Sequence, residues 1–293
     1  MKSPCARIAV TLAVVVLISG LGARLAAASD HDDTPLLKDV GRHDARITDF
    51  YAFIRDGRLV LVVATNPAIP PGVSQYQFPD DLTVSVYLDR LSPVSFADPV
   101  ARAKYGGTVL FPWWILEDLV FEVSFSNGRP QLRTQGLSFL GRLTTRVFAG
   151  LRDDPFIRGP RTGRNVAAVV IDVPLYTMSW GAPMLVWAGT SVPEADGEVA
   201  DLGGRALRSQ FAENLALNDL HPSLHQSELG VPPDVIILDP LRPIAFPNGR
   251  ELTDDVVDLV GDPRVLANDA PFPTQNDVPW LTGFPFLAPP QLP

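Results

Sequence analysis

Twenty-nine prolines punctuate this chain, and much of that proline stands between short apolar runs. Proline has no N–H to donate and clashes with the preceding helical turn. The spacing therefore excludes long helices. What fits between the prolines is short strands joined by many loops.

The runs themselves carry strand patterns. Leu59 to Ala64 is continuously apolar, which predicts a strand buried on both faces. Leu82, Val84, Val86 and Leu88 alternate with Thr83, Ser85 and Tyr87, as a half-buried strand does. Leu119, Phe121, Val123 and Phe125 repeat that period. Asn127-Gly128 follows, before Gln131 to Thr134. Two residues that tolerate φ > 0 between two strand patterns predict a hairpin. Further strands are expected at Val166–Val173, Met184–Ala188 and Val235–Leu238.

Helical periodicity is scarce. Arg205–Leu217 has Leu207, Phe211 and Leu215 at spacing four and is the best candidate. Leu252–Val260 reads as a short helix capped by Thr253, with Asp254 and Asp255 at its positive end. The tail from Asn268, rich in proline and aromatics, is expected to run extended along the surface. The fold class expected is mainly β: a β-sandwich or open barrel with long Pro-rich loops and few short helices.

The first 28 residues read as a secretory signal peptide. Lys2 and Arg7 are basic, Ile8–Ile18 is apolar apart from Thr11, and Ala26-Ala27-Ala28 supplies the small residues a signal peptidase requires. The apolar run is shorter than the roughly 20 residues that span a bilayer. Cys5 precedes that run, whereas a lipidated cysteine would follow it. Cleavage after Ala28 leaves residues 29–293 as a single β-rich domain with no cysteine, so an ordinary core must hold it. Loss of Lys2, Arg7 and Arg24 takes the net charge from −9 to −12. Such a field repels nucleic acid and anionic lipid and attracts cations. The expected location is secreted or periplasmic. No transmembrane segment is expected after cleavage.

Several residues carry candidate chemistry. The mature end holds Asp30, His31, Asp32 and Asp33, then His43, Asp44 and Asp49. Imidazole with carboxylate suits a divalent cation, although a solvated acidic end is the plainer alternative. His221 and His225 would share a face on a helix, but no glutamate follows His221 as in a zinc protease. Arg152-Asp153-Asp154-Pro155-Phe156 and Asn248-Gly249-Arg250 suit turns, and Asp254 and Asp255 suit a helix start. Trp113 and Trp114 would face opposite ways in a strand. There is no nucleophile elbow, phosphate loop, dinucleotide fingerprint or His-Glu-x-x-His.

Ser29-Asp30-His31 through Leu36, Ile47-Thr48-Asp49-Phe50-Tyr51-Ala52-Phe53, Arg152–Phe156, Gly163-Arg164-Asn165-Val166 and Asp234-Val235 form a recognisable series. With Phe246-Pro247-Asn248-Gly249-Arg250-Glu251-Leu252-Thr253-Asp254-Asp255-Val256-Val257-Asp258 and Phe284-Pro285-Phe286-Leu287, it resembles the domain of unknown function 4331 family over nearly all of 29–293. The resemblance implies an exported bacterial protein with no assigned activity and no catalytic residues to carry over. Arg90-Leu91-Ser92-Pro93 replaces an acidic, glycine-rich loop found in many members, so no cation site is expected there.

The leading expectation is a non-enzymatic extracytoplasmic binding or surface domain whose loops carry function. Its ligand would be a divalent cation or a small apolar or sugar-like molecule. A protein partner stays open, and a nucleic-acid partner is not expected. The candidate cation ligands are His31, Asp49, Asp254 and Asp255. The alternative is a metal-dependent hydrolase using His31 and nearby aspartates.

Overall fold

The structure is a computed structural model that describes residue 31 and residues 34–157, 164–178, 181–196, 198–209, 212–260 and 274–292. Two antiparallel sheets form a β-sandwich. The first has the order β1-β2-β9-β8, with β1 at Ile47–Arg55, β2 at Arg58–Thr65, β8 at Arg146–Asp153 and β9 at Asn165–Pro174. The second has the order β11-β10-β3-β6-β7, with β3 at Thr83–Asp89, β6 at Leu119–Ser126, β7 at Arg129–Gln135, β10 at Met184–Ser191 and β11 at Val199–Gly203. A short β12 (Ile236–Leu238) pairs with Met184–Val186 of β10. A small ribbon, β4 (Val94–Ser95) with β5 (Thr108–Val109), lies apart from both sheets.

The central core joins the facing sides of the two sheets. Val84, Val86, Phe121, Val123, Val186 and Ala188 cluster with Leu59, Leu61, Val63, Val169 and Ile171. Each large apolar side chain buried this way stabilises the fold by about 1.5–3 kcal/mol. Phe78 stacks on Phe125 at 4.3 Å.

The outer faces are covered too, which explains the continuous apolar run of β2. Tyr51, Phe53, Val60, Val62, Ala168 and Val170 point away from the central core and pack under Leu252, Phe286 and Leu287. The C-terminal tail is thus a cover for the first sheet, where the sequence suggests only an extended run along the surface. The residues of that tail at 268–273 lie outside the described ones. Asp153 accepts from Asn276 Nδ2 and Gln291 Nε2, both at 2.6 Å, and Asn165 exchanges two bonds with the Gln291 backbone. On the second sheet, Val109, Ile115, Val235 and Ile237 cover Leu185 and Trp187.

The hairpin between β6 and β7 turns at Asn127 (φ 51°) and Gly128 (φ 72°), as the dipeptide demands. Arg205–Leu217 is not one helix. Leu207 sits at φ 64°, which no helix allows, and only Ala212–Asn218 winds into a 3₁₀ turn. Phe211 lies outside the described residues. The C-terminal helix is shorter than expected, at Val256–Val260. Asp255 caps it by accepting from Asp258 N at 3.3 Å, in place of Thr253. Trp113 and Trp114 stand in a 3₁₀ turn begun by Pro112, and both are exposed. Among the described residues no helix is long and apolar enough to cross a membrane.

Candidate functional site

The four candidate cation ligands engage different groups in the structure. His31 is buried, and its Nε2 meets Asp201 Oδ1 at 2.9 Å. Asp201, on β11, also accepts from Ile47 N at 2.9 Å. Ser209 Oγ lies 3.1 Å from His31 Nδ1. Asp49, on β1, lies 3.2 Å from the Arg250 guanidinium. Asp254 accepts from Glu251 N at 2.7 Å and Phe246 N at 3.1 Å, and Asp255 caps its helix. These last two do the turn and cap chemistry that the sequence also allowed. Among the described residues no three His, Asp or Glu side chains are grouped to hold a metal ion. Asp30, Asp32 and Asp33 lie outside the described residues.

Arg250, the cation of the Asn248-Gly249-Arg250 segment, is buried. It spans the Asp49 carboxylate, the Phe50 carbonyl and the Tyr51 hydroxyl, with its guanidinium 3.9 Å from the Tyr51 ring centre. Burial pushes its pKa down to about 9, and Asp254 opposes that shift. Asn248 holds the turn by accepting from Asp239 N at 2.7 Å and donating to two carbonyls. Gly249 comes so close to Ala52 that a Cβ would lie 2.8 Å from its carbonyl oxygen. The most specific-looking segment of the sequence is therefore a structural clasp.

The two histidines four apart also part company. His225 is buried in a short helix, α4 (His225–Leu229), where Nε2 donates to Leu220 O and Nδ1 accepts from Asp234 N. Burial pushes its pKa below the ordinary value. His221 instead lines a depression of about 250 Å³ with Tyr87, Trp187, Glu117, Glu198 and Asp219. Its Nε2 faces Glu117 at 3.3 Å. Burial pushes the Asp219 carboxyl up, while His31 opposes that.

The cleft with the most definite chemistry was not singled out by sequence. It has a volume of about 330 Å³ and lies between helix Pro99–Tyr105 and the 230–237 segment. Its walls are mainly apolar: Val109, Pro112, Val231, Pro232, Val235 and Ile237. Among the described residues one charged side chain, Arg205, lines it. That side chain is 5% exposed and lies 4.2 Å above the Tyr105 ring centre. Among the described residues its Nε and Nη2 have no hydrogen-bond acceptor. The nearest carboxylate, Asp234, is 3.9 Å from Nε and is already bonded to the Gly204 and Arg205 backbone N–H groups.

Local geometry fixes this arrangement. A Cβ on Gly204 would fall 2.1 Å from the Asp234 carbonyl oxygen. Only glycine lets the chain leave β11 pressed against residue 234, with Arg205 turned toward the cleft. A smaller cavity of about 150 Å³ shares Tyr105, Arg205, Val231 and Pro232, and adds Lys104 and Arg208. Arg208 donates to Pro232 O at 3.0 Å, and among the described residues its Nη1 has no acceptor. Among the described residues no carboxylate lines either cavity. Buried donors are nearly always satisfied, and each one left over costs about 1–3 kcal/mol. Two guanidinium groups with unmet donors beside an apolar cleft match an oxyanion on an apolar body.

Comparison with protein-family models, with curated proteins and with solved structures gives no match to this chain.

Proposed function

We propose that this chain is an exported, non-enzymatic binding domain that takes a small organic anion in the Arg205 cleft. The observation that carries this reading is the buried Arg205 guanidinium with two donors unmet beside apolar walls. The cleft volume lies in the range of small-ligand sites. Export rests on the leader pattern of Lys2, Arg7, Ile8–Ile18 and Ala26–Ala28, and on the family resemblance of the segments that follow. The anion replaces the cation expected from net charge, because charge local to the cleft outweighs the distant field.

Calorimetry with benzoate and phenyl phosphate, each against a neutral isostere such as benzamide, tests the ligand class. The anions should bind at least about tenfold better, and Arg205→Met should erase that margin. Equal binding of acid and amide, or an unchanged margin in the variant, overturns it. N-terminal sequencing of the product from cells tests export separately. A mature end near Ser29 is expected, and an uncleaved membrane-bound form overturns it.

One observation favours a second reading, a hydrolase built on His31. The order Ser209, His31, Asp201 is a hydroxyl on an imidazole held by a buried carboxylate. That arrangement can activate a serine. It would use a serine where the sequence suggested a metal. A fluorophosphonate that labels Ser209, and fails on His31→Gln, would establish this reading over the first.

A further inference from the structure

From Val123 to Arg152 the chain holds five arginines and no acidic residue, in a protein of net charge −9. This stretch comprises β7, the helix α3 at Phe139–Thr144 and β8. β7 and β8 are the edge strands of the two sheets and lie side by side, with α3 spanning the gap at one end of the sandwich. The fold thus lays this basic stretch along two neighbouring edge strands, with Glu122 of β6 facing Arg133 at 3.9 Å.

α3 is turned outward by its own packing. Ser138 caps it, accepting from Gly141 N at 3.1 Å. Gly141 is buried against the body, where a Cβ would lie 2.8 Å from Leu137 and 3.0 Å from Thr177. With glycine facing inward, the apolar side chains face out. Phe139 is 70% exposed, Leu140 51% and Leu143 66%, and neighbouring Tyr176 is 61% exposed. Arg142 sits among them, and neither Arg142 nor Arg129 has an ion pair among the described residues. Arg146 joins Arg58 on the single buried carboxylate Asp172, which leaves that trio net positive.

We infer that this side of the protein docks on a lipid surface bearing anionic headgroups. Three large apolar side chains on one short helix that carries Arg142 and is followed by Arg146 fit the boundary between headgroups and acyl chains. A second copy fits poorly, because pairing this side with itself would oppose like charges. Nucleic acid fits poorly too, since Leu140 and Leu143 have no ring on which a base could stack. The acidic remainder of the molecule does not prevent docking. Charges beyond about 8–10 Å are screened at physiological salt.

Co-sedimentation of the purified chain with vesicles of phosphatidylcholine, with and without phosphatidylglycerol, is the test. Binding is expected to be about tenfold tighter with the anionic lipid and to weaken as salt rises. Leu140→Asp and Arg142→Glu should each reduce it about tenfold, with melting temperatures unchanged because both side chains are exposed. No sedimentation with either vesicle, or sedimentation indifferent to both variants, overturns the inference. So does a dimer in solution that Leu140→Asp dissociates, or a shift of RNA or DNA by the wild type that Arg142→Glu abolishes.

Discussion

The Arg250 guanidinium lies 3.2 Å from the Asp49 carboxylate, and both groups are almost wholly buried. This pair ties the C-terminal Asn-Gly-Arg turn to the first strand of the sandwich. A backbone bond from Arg250 N to Ala52 O at 2.8 Å runs beside it. Removing one charge leaves the other buried without its partner, which is the costly case. Arg250→Ala is therefore expected to destabilise the protein by about 3–5 kcal/mol in urea unfolding. The double variant Asp49→Leu with Arg250→Met should recover more than half of that loss. A double variant no more stable than Arg250→Ala would show that the backbone contacts, not the ion pair, set the cost.

His31→Ala should lower stability by about 2 kcal/mol, because it removes a charge-assisted bond to buried Asp201. The loss is expected to be the same with a chelator present or with added Zn²⁺ or Ca²⁺. A loss that disappears under chelation would restore His31 as a cation ligand. Thermal melts of both proteins under the three conditions decide the matter.

His225 gives a pH dependence with a definite sign. Its folded pKa is pushed below 6.5, chiefly by burial, while Asp234 opposes the shift. As pH falls through about 6.5 the unfolded chain takes up a proton that the folded chain refuses. Stability therefore falls toward acid, by up to about 1.4 kcal/mol per pH unit from this one group. Comparing wild type with His225→Gln between neutral and mildly acidic pH isolates it from the carboxylates. The variant should be less stable at neutral pH and show a flatter slope. An equal slope in the two proteins would mean that His225 charges while folded.

Phe286 meets Phe53 edge-on at 6.3 Å and lies under the Arg55 guanidinium. Phe286→Ala is expected to cost about 3–5 kcal/mol, as for a large core side chain. A change of less than about 1 kcal/mol would show that the tail only brushes the sheet. Calorimetric melts of the two proteins measure it.

Much of the fold was legible because its strands obey local rules. The run at Leu59–Ala64 does become a strand covered on both faces, and Asn127-Gly128 does make the hairpin. β8 was hidden because Gly150 and scattered arginines break the alternation of an edge strand. Val199–Gly203 was hidden because its five residues place Asp201 at the centre and a glycine at the end, with no apolar alternation. Trp113 and Trp114 were misleading because Pro112 starts a 3₁₀ turn where alternation assumes a strand.

The candidate site was harder to read for a different reason. Arg205 is one arginine among many by composition. Its isolation depends on Asp234, nearly thirty residues away, being already engaged by the backbone at 204 and 205. No periodicity encodes that. The close approach at Gly204 is the local hint, since Gly203-Gly204 directly precedes Arg205. Conversely, the acids clustered around His31 drew a metal reading because sequence proximity resembles a ligand set. In three dimensions Asp49 and His31 serve different partners.

The tail that covers the first sheet also sets an order of events in synthesis. Tyr51, Phe53, Val60 and Val62 are made early, yet the side chains that cover them, Phe286 and Leu287, are more than two hundred residues downstream. A nascent chain emerging from the ribosome keeps an oily sheet face bare until that stretch has been added. Pairing strands early would present this face to every neighbour. Such a chain gains by staying loose until its tail has been made.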